Sequence, residues 1–517
     1  MTFTSPLPDV EISDLPLTSY VMRHAERLAD KPALVEGHTG RTLTYGELDD
    51  QIRRFAGGLA ARGFGKGDVV ALLAPNCPEF AVAFLGTALA GCIVTTFNPT
   101  YTEREIHHQL TDSGATILFT IPALAELASA AMADTMVGQL VLIGADTDGD
   151  TLGFADFLGE PMAEQVPVEA SDLVALPYSS GTTGLSKGVM LTHGNLVANL
   201  CQMAGVGIFD GEDDVVDAVL PFFHIYGMNV LMNGTLCNGG TLVMLPRFDL
   251  EQFLSMHQEH GVTVSFLAPP IVLGLAKHPI VDKYDLTKLR YMMSGAAPLS
   301  AELANEAAGR LNTEVAQGYG MTELSPVSHT TPPGQTKLGS VGVTVPNTET
   351  AIVDPETLEQ LGVDAEGEVW VRGPQVMAGY LNNEAATKST ITDDGWLRTG
   401  DLGRIDADGH LFIADRLKEL IKYKGFQVPP AELEGLLLTH PAVADAAVIG
   451  KPDDEAGEIP IGFITLKPGV DATADEVREF VNGQVAHYKH LGQLELIESI
   501  PKSASGKILR RELRDQA

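Results

Sequence analysis

From residue 44 to residue 139, apolar and polar positions switch between two periods. Thr44 and Glu47 stand at the spacing of a capping box, and Leu48, Ile52, Phe55 and Leu59 recur at helical spacing behind them. Gly63 and Gly65 stop that helix. Residues 68–74 read as a buried strand, 78–90 as a helix, 92–97 as a strand, 104–112 as a helix and 115–120 as a strand. This βα rhythm predicts a doubly wound sheet. The most apolar window, 80–97, is broken by Gly86 and Gly91 into a helix-like and a strand-like part, a core element rather than a membrane span. The chain turns acidic and irregular over 146–170.

Further on, 173–178 reads as a buried strand, and 189–199 as a short strand or turn followed by a helix. Residues 262–270 form a strand ending at Pro269-Pro270, with a helix-like stretch over 271–277. Residues 289–299 run from a strand into a turn of small side chains, and a hairpin is centred on Asp408-Gly409. At 517 residues the chain exceeds one compact core. The last hundred or so residues have the make-up of a small α+β domain.

With 44% hydrophobic and 20% charged residues, the composition is that of an ordinary globular protein. The excess of 68 acidic over 34 basic residues, net −34, argues against a nucleic-acid binder, which needs a basic face. The four cysteines, Cys77, Cys92, Cys201 and Cys237, form no CxxC pair and read as buried thiols of a reducing, cytoplasmic compartment. No signal peptide and no peroxisomal address is read.

The chemistry centres on Tyr178-Ser-Ser-Gly-Thr-Thr-Gly-Leu-Ser-Lys-Gly188, just after a buried strand. Ser179, Ser180, Thr182 and Thr183 offer hydroxyls, Gly181 and Gly184 allow close backbone approach, and Lys187 adds a mobile positive charge. That set suits a phosphate or pyrophosphate. The spacing is not that of a Walker loop, and a flexible surface loop would share much of the composition. In Leu220-Pro-Phe-Phe-His-Ile-Tyr-Gly-Met-Asn229, Pro221 and Gly227 bracket His224 and Tyr226 on one side of an expected extended chain. The turn at Gly295, Ala296 and Ala297 leaves room for a flat ring. In Gln317-Gly-Tyr-Gly-Met-Thr-Glu323, two glycines bracket an aromatic surface, and a carboxylate suited to a hard cation follows.

Taken together, these motifs resemble the acyl-adenylate-forming superfamily of acyl-CoA synthetases, peptide-synthetase adenylation domains and luciferases, most closely its 4-coumarate:CoA ligase branch. The resemblance spans nearly the whole chain. It implies an α/β fold: a large N-terminal domain of doubly wound sheets plus a distorted barrel over 1–415, a hinge at 416–418, and a small mobile α+β domain over 419–517. It implies ATP, CoA and Mg²⁺ as cofactors and co-substrates. The nucleotide would contact Ser179, Ser180, Gly181, Thr182, Thr183, Lys187, Ala296, Gln317, Gly318, Tyr319 and Thr322. Asp401 and Arg416 would hold the ribose, Glu323 the Mg²⁺, and Lys418 the hinge position. His224 would lie against the reacting carboxylate. Tyr226, Asn229, Ala296, Gly320, Pro326 and Val327 would border the acyl group, while Met293 departs from the lysine of plant coumarate ligases. Arg247, Lys424 and Gly425 would contact CoA, with Lys422 and Gln427 near the thioester-forming site.

The same resemblance implies a two-step ligation through acyl-AMP. Lys507, in Pro501-Lys-Ser-Ala-Ser-Gly-Lys507, serves the first step and is exchanged for the 422–427 loop in the second. It also implies a lysine acetyltransferase as a partner acting on Lys507. The acyl group expected is a hydroxycinnamate or other aromatic acid. Medium- or long-chain fatty acids, transfer of acyl-AMP to a carrier protein or amine, and a non-catalytic nucleotide-binding role are the alternatives.

Overall fold

The computed structural model describes residues 1–144, 152–179, 186–424, 426–453, 456–503 and 506–516, and of Gln427 the backbone alone. Ser180, Gly181, Thr182, Thr183, Gly425 and the side chain of Gln427 therefore lie outside the described residues.

Local signals become elements where they were expected. Thr44 caps helix Tyr45–Ala61: Glu47 N–H donates to Thr44 Oγ1 (3.2 Å), and Thr44 N–H donates to the Glu47 carboxylate (2.8 Å). Its stripe of Leu48, Ile52, Phe55 and Leu59 is fully buried, contributing about 1.5–3 kcal/mol per side chain. Helix Pro78–Leu89 is buried on nearly every face, packed between neighbouring elements. Among the described residues no helix is long and apolar enough to cross a membrane.

Among the described residues, three sheets build the large part of the molecule. The first has parallel strands Ile93–Thr96, Val69–Leu73, Ile117–Thr120 and Gln139–Leu142. Leu173–Ala175 extends it in parallel, and Lys187–Thr192 adds on antiparallel. The second holds parallel strands in the order Thr241–Met244, Val215–Ala218, Val264–Leu267, Tyr291–Ser294 and Glu314–Gly320, continued by antiparallel Val327–Thr330. The third is antiparallel: Thr2–Thr4, Glu349–Val353, Gly367–Arg372, Leu397–Ile405 and Leu411–Arg416. It stands where the distorted barrel was expected. It is joined to the second sheet by Val341 N–H on Leu411 O and Leu411 N–H on Gly342 O, both 2.9 Å.

A fourth sheet begins at Ile421 and contains strands Ile421–Tyr423, Phe426–Val428, Val443–Asp453, Gly457–Leu466 and Gln493–Leu496. Helices Pro430–Thr439 and Ala474–Asn482 cover it. Its separate core includes Val428, Leu433, Leu437, Val448, Ile464, Val477 and Val481.

One local expectation is corrected. Residues 221–229 are not extended: His224 lies in a turn, and Tyr226–Asn233 is a π-helix. His224 N–H donates to Pro221 O (3.1 Å), and the helix closes over the same carbonyl. Only glycine permits this, since a Cβ at Gly227 would lie 2.2 Å from Pro221 O.

Candidate active site

In open parallel sheets, ligands bind beyond the carboxyl ends of the strands. In the second sheet, four adjacent strands end together, three of them at segments singled out by their chemistry. Val215–Ala218 leads to His224, Val264–Leu267 to Pro269-Pro270, Tyr291–Ser294 to Gly295–Ala297, and Glu314–Gly320 to Thr322 and Glu323.

At these ends is a polar cluster drawn from four separate stretches of chain. Asp401 and Arg416 are directly paired across the third sheet, and Arg416 Nε lies 3.2 Å from Asp401 Oδ1. Tyr319 Oη donates to Asp401 Oδ2 at 2.6 Å. Burial pushes the Asp401 carboxyl up, while Arg416, Tyr319 and Lys507 pull the other way. Lys507 joins from the C-terminal part. Burial, reinforced by Arg416, lowers its ammonium to about 8, with Glu419 and Asp401 opposing the shift. Burial, and then the charge of Lys507, lowers His224 to about 4, so the imidazole is neutral near pH 7. Its Nδ1 accepts from Tyr226 N–H at 3.3 Å. Lys507 is held by a small hairpin in which Ser503 N–H donates to Lys507 O (2.8 Å). Gly506 rests on the start of helix Pro269–Lys277, where a Cβ would come within 3.3 Å of Ala268 Cβ.

A second cluster gathers around Glu323, which is buried. Its Oε1 accepts from Ser179 Oγ (3.1 Å) and from Tyr380 Oη (2.8 Å). Lys187 lies over the Tyr380 ring, 4.4 Å from its centroid. Tyr380 reaches both because Gly379–Tyr380 pairs with Lys187–Thr192. Thr322 opens the next turn and is half-buried. Among the described residues no three His, Cys, Asp or Glu side chains converge as a metal cage. A single carboxylate fits Mg²⁺, which keeps waters and phosphate oxygens as its other ligands.

A wall of small and apolar groups lies beside these clusters. The Tyr226 ring approaches Phe266 edge-on (6.3 Å) and closes on Gly295, where a Cβ would lie 3.1 Å from it. Ala296 adopts φ 70°, so the turn after the strand bends sharply. A Cβ at Gly318 would lie 3.0 Å from Met293 Sδ, and one at Gly320 only 2.1 Å from Pro326 O. Pro326 and Val327 are buried there. Asn229 spends its amide on the backbone instead: the nitrogen donates to Ser325 O (2.7 Å) and Leu196 O (3.3 Å), shaping the turn that carries Pro326. Gln317 likewise uses its Oε1 on Leu299 N–H (3.2 Å), bracing the 296–299 turn.

Arg247, Lys418, Lys422 and Lys424 are exposed. Lys422 pairs with Gln427 across a hairpin, and its N–H donates to Glu458. Sequence reasoning missed Tyr380, which bonds Glu323, and Glu419 and Arg510, whose charges act on Lys507. A tyrosine after glycine and carboxylates in a charged stretch carry no signal of their own until the fold brings them to the site.

Residues 21–381 match the family described as AMP-binding enzyme, and residues 432–507 match the AMP-binding enzyme C-terminal domain. The chain belongs to the AMP-binding enzyme family. It is 44% identical to 4-coumarate--CoA ligase 3 of Oryza sativa subsp. japonica, over 99% of this chain and 94% of that protein. Among solved structures it resembles the anthranilate CoA ligase AuaEII in complex with anthranoyl-AMP, with a TM-score of 0.91 at 27% identity over 97% of both chains. It also resembles the amide bond synthetase McbA from Marinactinospora thermotolerans, with a TM-score of 0.85 at 27% identity over 97% of this chain and 100% of that one.

Proposed function

We propose that this chain is an ATP-dependent carboxylate:CoA ligase that acts through an acyl-AMP, on a hydroxycinnamate or related aromatic acid, with ATP, CoA and Mg²⁺. The observation that carries this reading is Lys507. A lysine from the far end of the chain reaches the cluster of His224, Asp401 and Arg416, in a protein that aligns end to end with a coumarate ligase.

In the first step a carboxylate oxygen attacks the α-phosphorus of ATP, and pyrophosphate leaves. In the second the CoA sulfur attacks the acyl carbonyl, and AMP leaves. The attacking carboxylate is already an anion, so step one needs alignment and charge neutralisation rather than a base. Lys507, Lys187, Thr322 and the 179–188 loop supply these. Asp401 and Arg416 take the ribose hydroxyls, and Tyr319 lies against the purine with Ala296 and Gly318 beside it. Glu323 would hold Mg²⁺, which offsets phosphate charge when bound. Neutral His224 sits beside the acyl carboxylate. Tyr226, Gly320, Pro326 and Val327 border the acyl group, with Asn229 and Gln317 holding the walls in place. For step two, the part beyond the 416–418 hinge turns. Lys507 leaves, and Lys422 and Gln427 approach, with Arg247, Lys424 and Gly425 on CoA. This divides the chain into 1–415 and 419–517.

The test is pyrophosphate release and thioester formation with Mg·ATP across cinnamate, coumarate, benzoate and C6–C16 fatty acids. CoA-dependent turnover concentrated on the cinnamates supports the proposal. Turnover concentrated on aliphatic acids replaces the substrate class, and pyrophosphate release without thioester indicates an amine or carrier acceptor. Four free thiols fit a reducing, cytoplasmic setting. Acetylation of Lys507 by a lysine acetyltransferase would remove its charge and stop step one. Intact mass after enzymatic acetylation, with Lys507 unmodified, would refute that.

A further inference from the structure

Helix Pro430–Thr439 starts without a cap of its own. Its N-cap position is Pro429, whose side chain can accept no hydrogen bond, and Pro430 follows. The acceptor comes from the other side of the hinge. Asp415, the penultimate residue of strand Leu411–Arg416 in the third sheet, accepts from Ala431 N–H with Oδ2 at 2.8 Å. Its Oδ1 accepts from Arg416 N–H at 2.7 Å. Asp415 is buried, and burial raises its carboxyl, with the two backbone donors and Arg510 acting against that shift and Glu419 adding to it. A buried carboxylate in such a place depends on its donors.

The capped helix is tied through ion pairs to Arg510, close to Lys507 along the chain. Glu434, on the same helix, bonds Arg510 at 2.7 Å. The other arm of Arg510 holds Glu419, immediately past the hinge, also at 2.7 Å. Arg510 Nε donates to Val448 O (3.2 Å), and Glu434 Oε1 accepts from Val448 N–H (2.8 Å). All three charged side chains are nearly buried. Arg510 lies three residues beyond Lys507, so the start of the helix, the segment after the hinge and the Lys507 hairpin move as one body. Asp415 reaches that body from the large domain.

We propose that Asp415 is a positioning residue: a helix cap supplied across the hinge, which holds the small domain in the orientation that presents Lys507 to the nucleotide and is given up when the domain turns for thioester formation. Leaving this orientation uncaps the helix and strips Asp415 of a donor, so both partners favour staying. The proposal rests on the two-orientation ligase reading above.

Each half-reaction rate scales with the fraction of protein in its own orientation. Their ratio therefore scales with the orientation equilibrium wherever that equilibrium lies. Asp415→Ala removes the cap in one orientation only. The ratio of thioester formation from supplied acyl-AMP to acyl-AMP formation should rise roughly fivefold, the equilibrium effect of one cap. Asp415→Asn keeps one acceptor oxygen for Ala431 N–H, though its amide nitrogen cannot accept from Arg416 N–H, and this ratio should stay within about twofold of wild type. Asp415→Ser is polar but too short to span to Ala431. It carries the same expectation as the alanine variant, should that variant not fold. An unchanged ratio in a folded Ala or Ser variant, or an equal loss of both half-reactions, overturns the proposal. If the wild-type protein forms no acyl-AMP at all, the ligase reading fails instead, which the same assay shows separately.

Discussion

Lys507 titrates in a range that activity can read. Burial and the neighbouring Arg416 bring its ammonium from the ordinary 10.5 to about 8 in the free protein. If step one needs the cation, kcat/KM for ATP in acyl-AMP formation should be level below that value and fall tenfold per pH unit above it. From pH 7 to pH 9.5 the protonated fraction drops from about nine-tenths to about 3%, a loss of about 30-fold. The limb in kcat should sit higher, because a bound triphosphate favours the ammonium. Lys507→Ala should lower the first half-reaction by about 10²–10³-fold and abolish the limb, leaving thioester formation from supplied acyl-AMP intact. Lys507→Arg should keep a cation at every pH tested and carry no limb. The assay is pyrophosphate release at limiting ATP over that pH range. A wild-type profile without the limb, or a limb that survives in Lys507→Ala, would refute the reasoning.

Three further outcomes follow from the geometry. Gly320→Ala puts a methyl group 2.1 Å from Pro326 O, so it should destabilise by about 1–3 kcal/mol and raise KM for the acid more than for ATP; equal effects on both would remove Gly320 from the acyl wall. Tyr319→Phe takes the hydroxyl donor from the buried Asp401 carboxylate and should destabilise by about 1–3 kcal/mol in urea titration, with a wild-type midpoint as the contrary result. Burial lowers His193 and His224 to about 4 and His329 to about 3, from 6.5. Below pH 6.5 the unfolded chain binds protons that the folded one refuses, so stability present above that pH is lost on acidification, by up to about 1.4 kcal/mol per pH unit per histidine. His329→Gln should flatten that slope by one proton; an unchanged slope would mean His329 takes up its proton in the folded state.

Legibility in the sequence followed the range of the interaction. The capping box at Thr44 and Glu47, the apolar stripe behind it and the buried strands of the first sheet rest on contacts within a few residues, and all appear as expected. The turn at His224 escapes sequence periodicity because its shape depends on Pro221 O meeting the backbone at Gly227, a contact that a two-residue alternation cannot express. Asn229 looked like a group for a ligand, yet its amide is committed to Ser325 O, nearly a hundred residues away. Tyr380 and Asp415 gave no signal, since their partners lie on strands and helices paired only in three dimensions.

By itself the sequence determined the βα alternation, the small-residue turns that leave room for a ring, and the residue types able to meet phosphate, ribose and a hard cation. Propensity, periodicity and side-chain chemistry are properties of short stretches, so they can be read there. The tertiary structure decided which of those residues meet. It set Asp401 against Arg416 and Tyr319 and brought the Lys507 charge within electrostatic reach of His224. It closed Tyr226 over Gly295 and let the Asp415 carboxylate cap the helix that starts at Pro430. These contacts join residues tens to hundreds of positions apart. They exist because buried polar groups must find partners once strand order and packing have excluded water.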